Sequence, residues 1–398
     1  MVEYTLVDDL TLRSPRLGFV TLPEEWCDAQ LFDAACLTLD LLDQTVAQGI
    51  DLKDASAWNI LFDGAHPVFC DLLSFEPLTR KTWWAAGQFA RQFILPLLLS
   101  RKVDLRASHA FRLWRDGVPS EAARAMLGPS RFLTRYWPLM ASAGASFCPV
   151  KPLPPAPRDA LIAHRRSLHA SLRWMLDGVR PVQGDGATTW SDYEGQRAHY
   201  ADASIGVKRR QVDEWLGRIC PQWVADFGCN AGEFSLIAHA RGARVVAVDS
   251  DHGALSRLYV RLEGRRGVHP VLATLDDIGA GRGWAGAEVP GLSERLAGRF
   301  DVVMMLALVH HLAIGAAVRL KSIAKFAHDC SRGWVIVEWL DSDDPLLCRL
   351  CEERRRDPKE FSVLRQRRAF MDAGFAIEAE QAVPETSRTL ALLRKTSP

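Results

Sequence analysis

The 398-residue chain carries 49 basic and 48 acidic side chains, a formal charge of +1, with 48% hydrophobic and 24% charged residues. That balance supplies no field to recruit nucleic acid or an anionic membrane, and the length leaves room for two or three globular domains. Nine cysteines lack any repeated metal spacing. Cys348 and Cys351 form a lone C-x-x-C pair without a nearby histidine, so no metal centre is expected, and the odd count suggests reduced thiols in the cytoplasm. No signal peptide or spanning segment is legible; the apolar run Ile94–Leu99 is short and contains Pro96.

Along the chain, residues 31–48 place Leu31, Ala34, Ala35, Leu39, Leu42 and Val46 at helical spacing, with Gly49 as the stop. Asp54 follows, then Asn59, an apolar strand from Ile60, a turn at Asp63-Gly64, a strand from Pro67 to Cys70, and Asp71. This order resembles the catalytic-loop region of the protein-kinase-like fold. There the aspartate is the base and the asparagine and later aspartate hold metal, so Asp54, Asn59 and Asp71 stand at the matching places. Leu52-Lys53 replaces His-Arg, Leu72-Leu73 replaces Phe-Gly, and no glycine-rich loop or lysine strand precedes them. The segment therefore reads as a degenerate α+β kinase-C-lobe-like fragment with an accessory or substrate-positioning role. The same three residues could instead serve only to cap turns.

Residues 83–114 read as helices broken at Pro96, with Trp83, Trp84, Phe89 and Phe93 expected in a core. Ser120 is a candidate helix N-cap. The proline-rich run from Pro149 to Pro157 is the best linker, and a helix over 158–178 follows it; its His164 and His169 do not share a face. These signals divide the chain into an accessory region (1–148), a linker with its connecting helix (149–188) and a final domain (189–398). Tyr193, Tyr200 and Lys208 lie in an aromatic lead-in to that domain. The basic runs Lys208–Arg210 and Arg354–Arg356 read as solvated helix faces.

The final domain is organised by the stretch from Trp223 to Asp251. A strand ends at Asp226; Gly228-Cys229-Asn230-Ala231-Gly232 turns the backbone; a helix starts near Phe234; and the strand Arg244–Val248 ends beside Asp249. A mononucleotide-binding βαβ unit needs glycines where main chain approaches a ligand and a carboxylate for ribose hydroxyls. A dinucleotide site would want glycine where Asn230 stands and no negative charge at Asp226, because a pyrophosphate lies there. A cofactor without phosphates and with a positive end suits these residues better: S-adenosylmethionine. Asp276 or Asp277, just past the third strand Pro270–Ala273, is a candidate for the adenine amine.

The fourth strand is read over Phe300–Leu308, so Leu306 and the pair His310-His311 fall at its end, where open α/β sheets bind ligands. Either histidine is a candidate general base, and Glu338, expected at the end of the fifth strand Trp334–Val337, is a candidate to support it. One histidine could instead cap the next helix. Helix 359–373 and strands Ala376–Ala382 and Thr389–Arg394 complete a seven-strand pattern.

DFGCNAGEFS, the Gly283-Trp284 loop, LALVHHL and VEWLDSDDP followed by Arg388-x-Leu390 resemble the class I methyltransferases of the nodulation-protein-like group. The upstream WNILF, DLLSF and QFARQFILPL runs extend that resemblance over most of the chain; the Ile278–Gly281 loop departs from it. The resemblance implies an α/β fold, a Rossmann-like doubly wound seven-stranded sheet, with S-adenosylmethionine as cofactor. The expected function is methyl transfer to a hydroxyl or amine of a small-molecule or glycan-type acceptor, with a protein partner as an added expectation for the N-terminal region. Phosphotransfer and a cofactor-binding regulatory role are the alternatives.

Overall fold

A computed structural model describes residues 2–129, 134–141, 157–182 and 202–396. They form two compact units. One holds the described residues up to 182 with Tyr259–Arg266; the other holds those from 202 to Leu258 and from Gly267 onward. The run 149–156, the loop 184–186, Tyr193, Tyr200 and the expected boundaries at 148 and 188 lie outside the described residues.

In the first unit, strands β1 (Thr5–Asp8) and β2 (Thr11–Arg13) pair as an exposed hairpin, followed by helix α1 (Asp28–Ala47). The six apolar residues read from the sequence are all buried along α1. The Gln30 side chain accepts from the Cys27 N–H (3.0 Å) at its start, and Gly49, at φ +78°, leaves it in a conformation that favours glycine. Strands β3 (Ile50–Leu52), β4 (Ile60–Asp63), β5 (His66–Phe69) and β6 (Phe75–Pro77) make two small antiparallel sheets, β3 with β6 and β4 with β5.

Helices α2 (Ala86–Phe89) and α3 (Leu95–Val103) are joined by a wide turn over Ala90–Ile94 rather than broken at Pro96. Proline has no N–H for the carbonyl four residues back, and the widened turn absorbs that loss without ending the helix. Trp83, Phe89 and Phe93 are buried as expected, but Trp84 is 43% exposed beneath the Arg80 guanidinium, 4.9 Å from its ring centre. Helices α4 (Ala107–Leu113), α5 (Ser120–Leu127), α6 (Trp137–Ala141) and α7 (Arg158–Asp177) complete the unit. Ser120 is the first helical residue rather than the cap: its hydroxyl donates to the Leu139 carbonyl (3.2 Å), and Pro119 caps α5. On α7, Arg165 is buried against Asp51 (2.6 Å) and His169 against Asp43 (2.5 Å).

The second unit begins with α8 (Asp202–Ile219) and alternates strand and helix: β7 (Trp223–Phe227), α9 (Glu233–Ala240), β8 (Arg244–Asp249), α10 (His252–Leu262), β9 (Val268–Leu272) and α11 (Leu292–Leu296). There follow β10 (Phe300–Met305), α12 (Leu320–Cys330), β11 (Ser331–Leu340), α13 (Pro345–Glu353), α14 (Val363–Asp372), β12 (Phe375–Val383) and β13 (Arg388–Lys395). The seven strands stand in the order β12-β13-β11-β10-β7-β8-β9, with β13 antiparallel to both its neighbours. Strands β7, β8 and β10 are almost wholly buried and apolar, as strands covered on both faces must be.

Of the strand limits that differ from expectation, two matter for chemistry. Strand β10 stops at Met305, because Ala307 adopts φ +50° and turns the chain. Strand β11 continues to Leu340, because β13 pairs with it as far as Leu340↔Arg388, so Glu338 lies within the strand rather than beyond it. Pairing sets Asp226 level with Met304, and Met304 level with Ile336. Gly228 and Leu306 follow the ends of β7 and β10, while Glu338 is still within β11.

Candidate active site

The turn after β7 is built by backbone conformations that few residues tolerate. Gly228, Asn230 and Gly232 all have positive φ (74°, 50° and 78°). A Cβ at Gly232 would stand 2.3 Å from Leu258 Cδ1, and one at Gly228 would stand 3.1 Å from Leu308 Cδ1. Both glycines thus serve close packing as well as the turn. Asn230 replaces glycine at the third position because asparagine tolerates the left-handed region, and its side chain accepts from the Ala231 N–H (2.6 Å).

Two carboxylates bracket this turn. Asp249, at the end of β8, accepts from the backbone N–H of Asn230 (2.7 Å) and of Asp251 (2.8 Å). Asp226 is buried and accepts from the Ser235 hydroxyl (2.6 Å), tying β7 to α9. Burial pushes Asp226 up to about 7, against the Ser235 hydrogen bond and with help from Asp249. Burial also raises Asp249, although its N–H donors oppose the shift. Cys229 is buried in the same turn, and burial lifts its thiol well above the ordinary range. Asp276 and Asp277 are exposed just past β9.

Residues 226–233 include no cation, so the turn would repel rather than attract a pyrophosphate; a ligand with a positive end and ribose hydroxyls fits it. Each Asp249 oxygen accepts one backbone N–H and retains capacity for a hydroxyl. Asp226, Gly228, Cys229, Asn230, Gly232, Asp249 and Leu306 all lie around the carboxyl ends of β7, β8 and β10.

The segment after β10 carries the second half of the site. Leu308 packs near Gly228, and His310 and His311 follow with ring centres 4.1 Å apart. His310 is 2% exposed, and neither ring nitrogen has a hydrogen-bond partner. Burial, aided by His311, Arg388 and Lys208, lowers it well below the usual imidazole range. Burial, aided by Arg388, lowers His311 to about 4. Both rings are therefore neutral at pH 7, able to accept a proton.

Glu338, the candidate support for the histidine base, makes no hydrogen bond to His310: neither its carboxylate oxygens nor that ring's nitrogens have a hydrogen-bond partner. It is fully buried, ion-paired through Oε1 with Lys208 Nζ and 3.9 Å from Arg388 Nη1. Arg388 in turn holds Asp344 at 2.7 Å, and Asp344 caps α13 through the N–H groups of Leu346 and Leu347. Sequence reading missed this chain. Lys208 looked like part of a solvated basic run, yet it is 8% exposed, and only Arg209 and Arg210 lie on the outer side of α8. The one available signal was Arg388, placed just before the strand read over Thr389–Arg394, which the structure extends to begin at Arg388.

In the first unit, Asp54 accepts from the Ser56 N–H (3.0 Å) and from Gln88 (2.8 Å). Asn59 donates to the Ser74 hydroxyl (3.3 Å), which itself donates to Asp71 (2.5 Å). Asn59 and Asp71 thus meet at Ser74, while Asp54 is held by the helical layer. Among the described residues, no group of three or more His, Cys, Asp and Glu side chains is placed to hold a metal ion. None of the described helices is long and apolar enough to cross a membrane.

No protein-family model matches the chain. It is 28% identical over 363 residues to nodulation protein NoeA of Rhizobium meliloti (strain 1021), covering 86% of this chain and 73% of that protein. Among solved structures it is similar to magnesium protoporphyrin IX methyltransferase from Synechocystis PCC 6803 with bound SAM (14% identity, 52% of this chain and 91% of that one, TM-score 0.36). It is also similar to a putative S-adenosylmethionine dependent methyltransferase from Listeria monocytogenes (14% identity, 48% of this chain and 100% of that one, TM-score 0.37).

Proposed function

We infer that this chain, a class I S-adenosylmethionine-dependent methyltransferase of the nodulation-protein-like group, methylates a hydroxyl or amine of a small-molecule or glycan-type acceptor, with His310 as the proton acceptor. The observation that carries the reading is the cation-free turn after β7, clamped by Asp249, with the neutral imidazole of His310 on the segment that follows β10, the strand paired with β7. Asp249 would hold ribose hydroxyls; Gly228, Asn230 and Gly232 would let main chain approach the methionine end; Leu306 would border it. Asp276 or Asp277 would meet the adenine amine. When bound, the cofactor supplies a methyl group already activated on sulfur, so alignment is the protein's main task.

His310 takes the acceptor's proton. As the acceptor oxygen gains the methyl group it becomes a far stronger acid than an imidazolium, so even a base held well below the usual range suffices. His311 lies against His310, the two rings tilted by 43° with their centres 4.1 Å apart. The region before the linker is assigned an accessory role in presenting the acceptor; Asp54, Asn59 and Asp71 are engaged in its turns, which favours that role over phosphotransfer.

Calorimetric titration with S-adenosylmethionine tests the cofactor site: measurable binding that Asp249→Ala abolishes supports it, and unchanged binding in that variant refutes the assignment. Feeding methyl-labelled cofactor to an extract and finding a labelled product that His310→Ala fails to make tests the base; an undiminished product would refute it.

A further inference from the structure

The last turn of α7, which ends at Asp177, is met by two arginines from other parts of the first unit. Arg101, in the last turn of α3, donates through Nη1 to the carbonyl of Gly178 (2.9 Å) and, less closely, of Arg180 (3.4 Å). Arg135, just before α6, donates through Nη1 to the Trp174 carbonyl (2.9 Å) and lies 4.3 Å from the centre of the Trp174 ring. Capping the helix's free carbonyls accounts for one nitrogen of each side chain. A guanidinium has five N–H groups, so most of each fork remains available.

Charge sets this pair apart from its neighbours. Arg173 and Arg180 hold Asp40 and Asp177, at 2.6 and 3.0 Å. Among the described residues, Arg101 and Arg135 have no carboxylate partner. The carbonyl end of a helix offsets only about half a charge, so two full cations leave this spot positive. A third group converges on it. Gly178 has φ −71°, open to any residue, so glycine here serves space rather than backbone freedom. A Cβ at Gly178 would stand 2.3 Å from Tyr136 Oη, 2.7 Å from Arg135 Cζ and 2.9 Å from Arg135 Nε. Tyr136 is 4% exposed, and its buried hydroxyl has no hydrogen-bond partner. A ring that served only to fill space would do so at lower cost as phenylalanine.

We propose that Arg101, Arg135 and Tyr136 form an oxyanion site on the first unit that takes the phosphate group of a phosphate monoester. A dianion balances the two guanidiniums, whereas a single carboxylate would balance only one. The phosphate oxygens accept from the spare N–H groups of both forks. The exposed Arg135 side chain shifts onto the ligand and opens the Tyr136 hydroxyl to a further oxygen. The organic part of the ester meets the Trp174 ring, which is 55% exposed. The site stands apart from the methyltransferase reading and holds whether or not that reading does.

Calorimetric titration of the full chain with inorganic phosphate, phenyl phosphate and acetate tests it. Phosphate is expected to bind saturably and roughly tenfold tighter than acetate, as a second charge-assisted contact provides, and phenyl phosphate tighter still. Tyr136→Phe removes a hydroxyl that has no partner in the free chain, so thermal unfolding should be unchanged while phosphate affinity falls roughly tenfold. Arg101→Lys keeps the charge and a donor for the helix end but loses the fork, and a similar loss is expected. Absence of saturable phosphate binding would overturn the proposal, as would binding that both variants leave unchanged. Acetate bound as tightly as phosphate would overturn the choice of a dianion, and phenyl phosphate bound no tighter than inorganic phosphate would overturn the choice of an ester over the free ion.

Discussion

Asp249 Oδ2 accepts a hydrogen bond of 2.7 Å from the backbone N–H of Asn230, so the carboxylate ending β8 clamps the turn that follows β7. Because Asp249 Oδ1 also accepts from the Asp251 N–H, one side chain orders the chain on both sides of the proposed cofactor site. The turn's left-handed residues are thereby held at no cost to the moment of binding.

Asp249→Ala removes this clamp and the proposed ribose acceptor together. Hydrogen bonds to a charged group contribute about 1.5–3 kcal/mol, so S-adenosylhomocysteine should bind roughly 10–100-fold more weakly by calorimetry. Asp249→Asn keeps one accepting oxygen and should fall between the variant and the parent.

Gly232→Ala should destabilise the fold more than Gly242→Ala. Both positions have positive φ, 78° and 89°, but a Cβ at Gly232 meets Leu258 at 2.3 Å whereas one at Gly242 meets nothing within 4 Å. The strain shared by both is about 1–2 kcal/mol, and only Gly232 adds overpacking of about 1–3 kcal/mol, less whatever Leu258 relieves by shifting. Urea denaturation of the two variants checks the difference.

Asp226, raised from 3.8 to about 7, makes stability depend on pH. The native carboxyl holds its proton where the unfolded one has lost it, so its contribution is full below pH about 4 and lost as pH rises through about 7. Asp226→Asn removes this slope. Relative to the parent, the variant should therefore gain stability between pH 5 and pH 7.5, by a few kcal/mol at most, measured by urea denaturation at both values.

The histidines titrate in the opposite sense. His311, lowered to about 4, and His310, lowered further below its usual range, stay neutral in the native state while unfolded histidine gains a proton below about 6.5. Their contribution to stability is present above that value and is lost as pH falls toward 4. Ring-proton NMR, assigned with His310→Ala and His311→Ala, should show two resonances unmoved between pH 8 and 5.5; a midpoint near 6.5 would contradict the burial argument.

Arg388→Ala leaves Asp344 and Glu338 without their shared cation in a buried setting. Breaking such a pair costs about 3–5 kcal/mol, so a large loss of thermal stability is expected, with Arg388→Lys restoring only part because it lacks the fork that spans both carboxylates.

The turn proposed to hold the cofactor was legible in the chain because its determinants are local. Gly228, Asn230, Gly232 and Asp249 lie within 22 consecutive residues, and strand-turn-helix-strand periodicity places them with respect to one another. Helix α1 was legible for the same reason, its apolar residues repeating at helical spacing up to Gly49. Pro96 misled because propensity alone cannot show that a wide turn will absorb the missing N–H, and Ser120 because a cap is defined by the chain's entry angle.

By itself, then, the sequence determined the alternation of strands and helices, the acidic glycine turn and the positions of His310 and His311 past a buried strand. Only the tertiary structure decided what Glu338 does. Its partners Lys208 and Arg388 come from α8 and β13, 130 residues before and 50 after it, and no local pattern encodes that meeting. Antiparallel pairing of β13 carries Arg388 to Leu340, extends β11 past Glu338 and buries the carboxylate, which then needs cations beside it because a lone buried charge is too costly. The same packing removed Lys208 and His310 from solvent, although one sits in a basic run and the other in a histidine pair past the end of a strand.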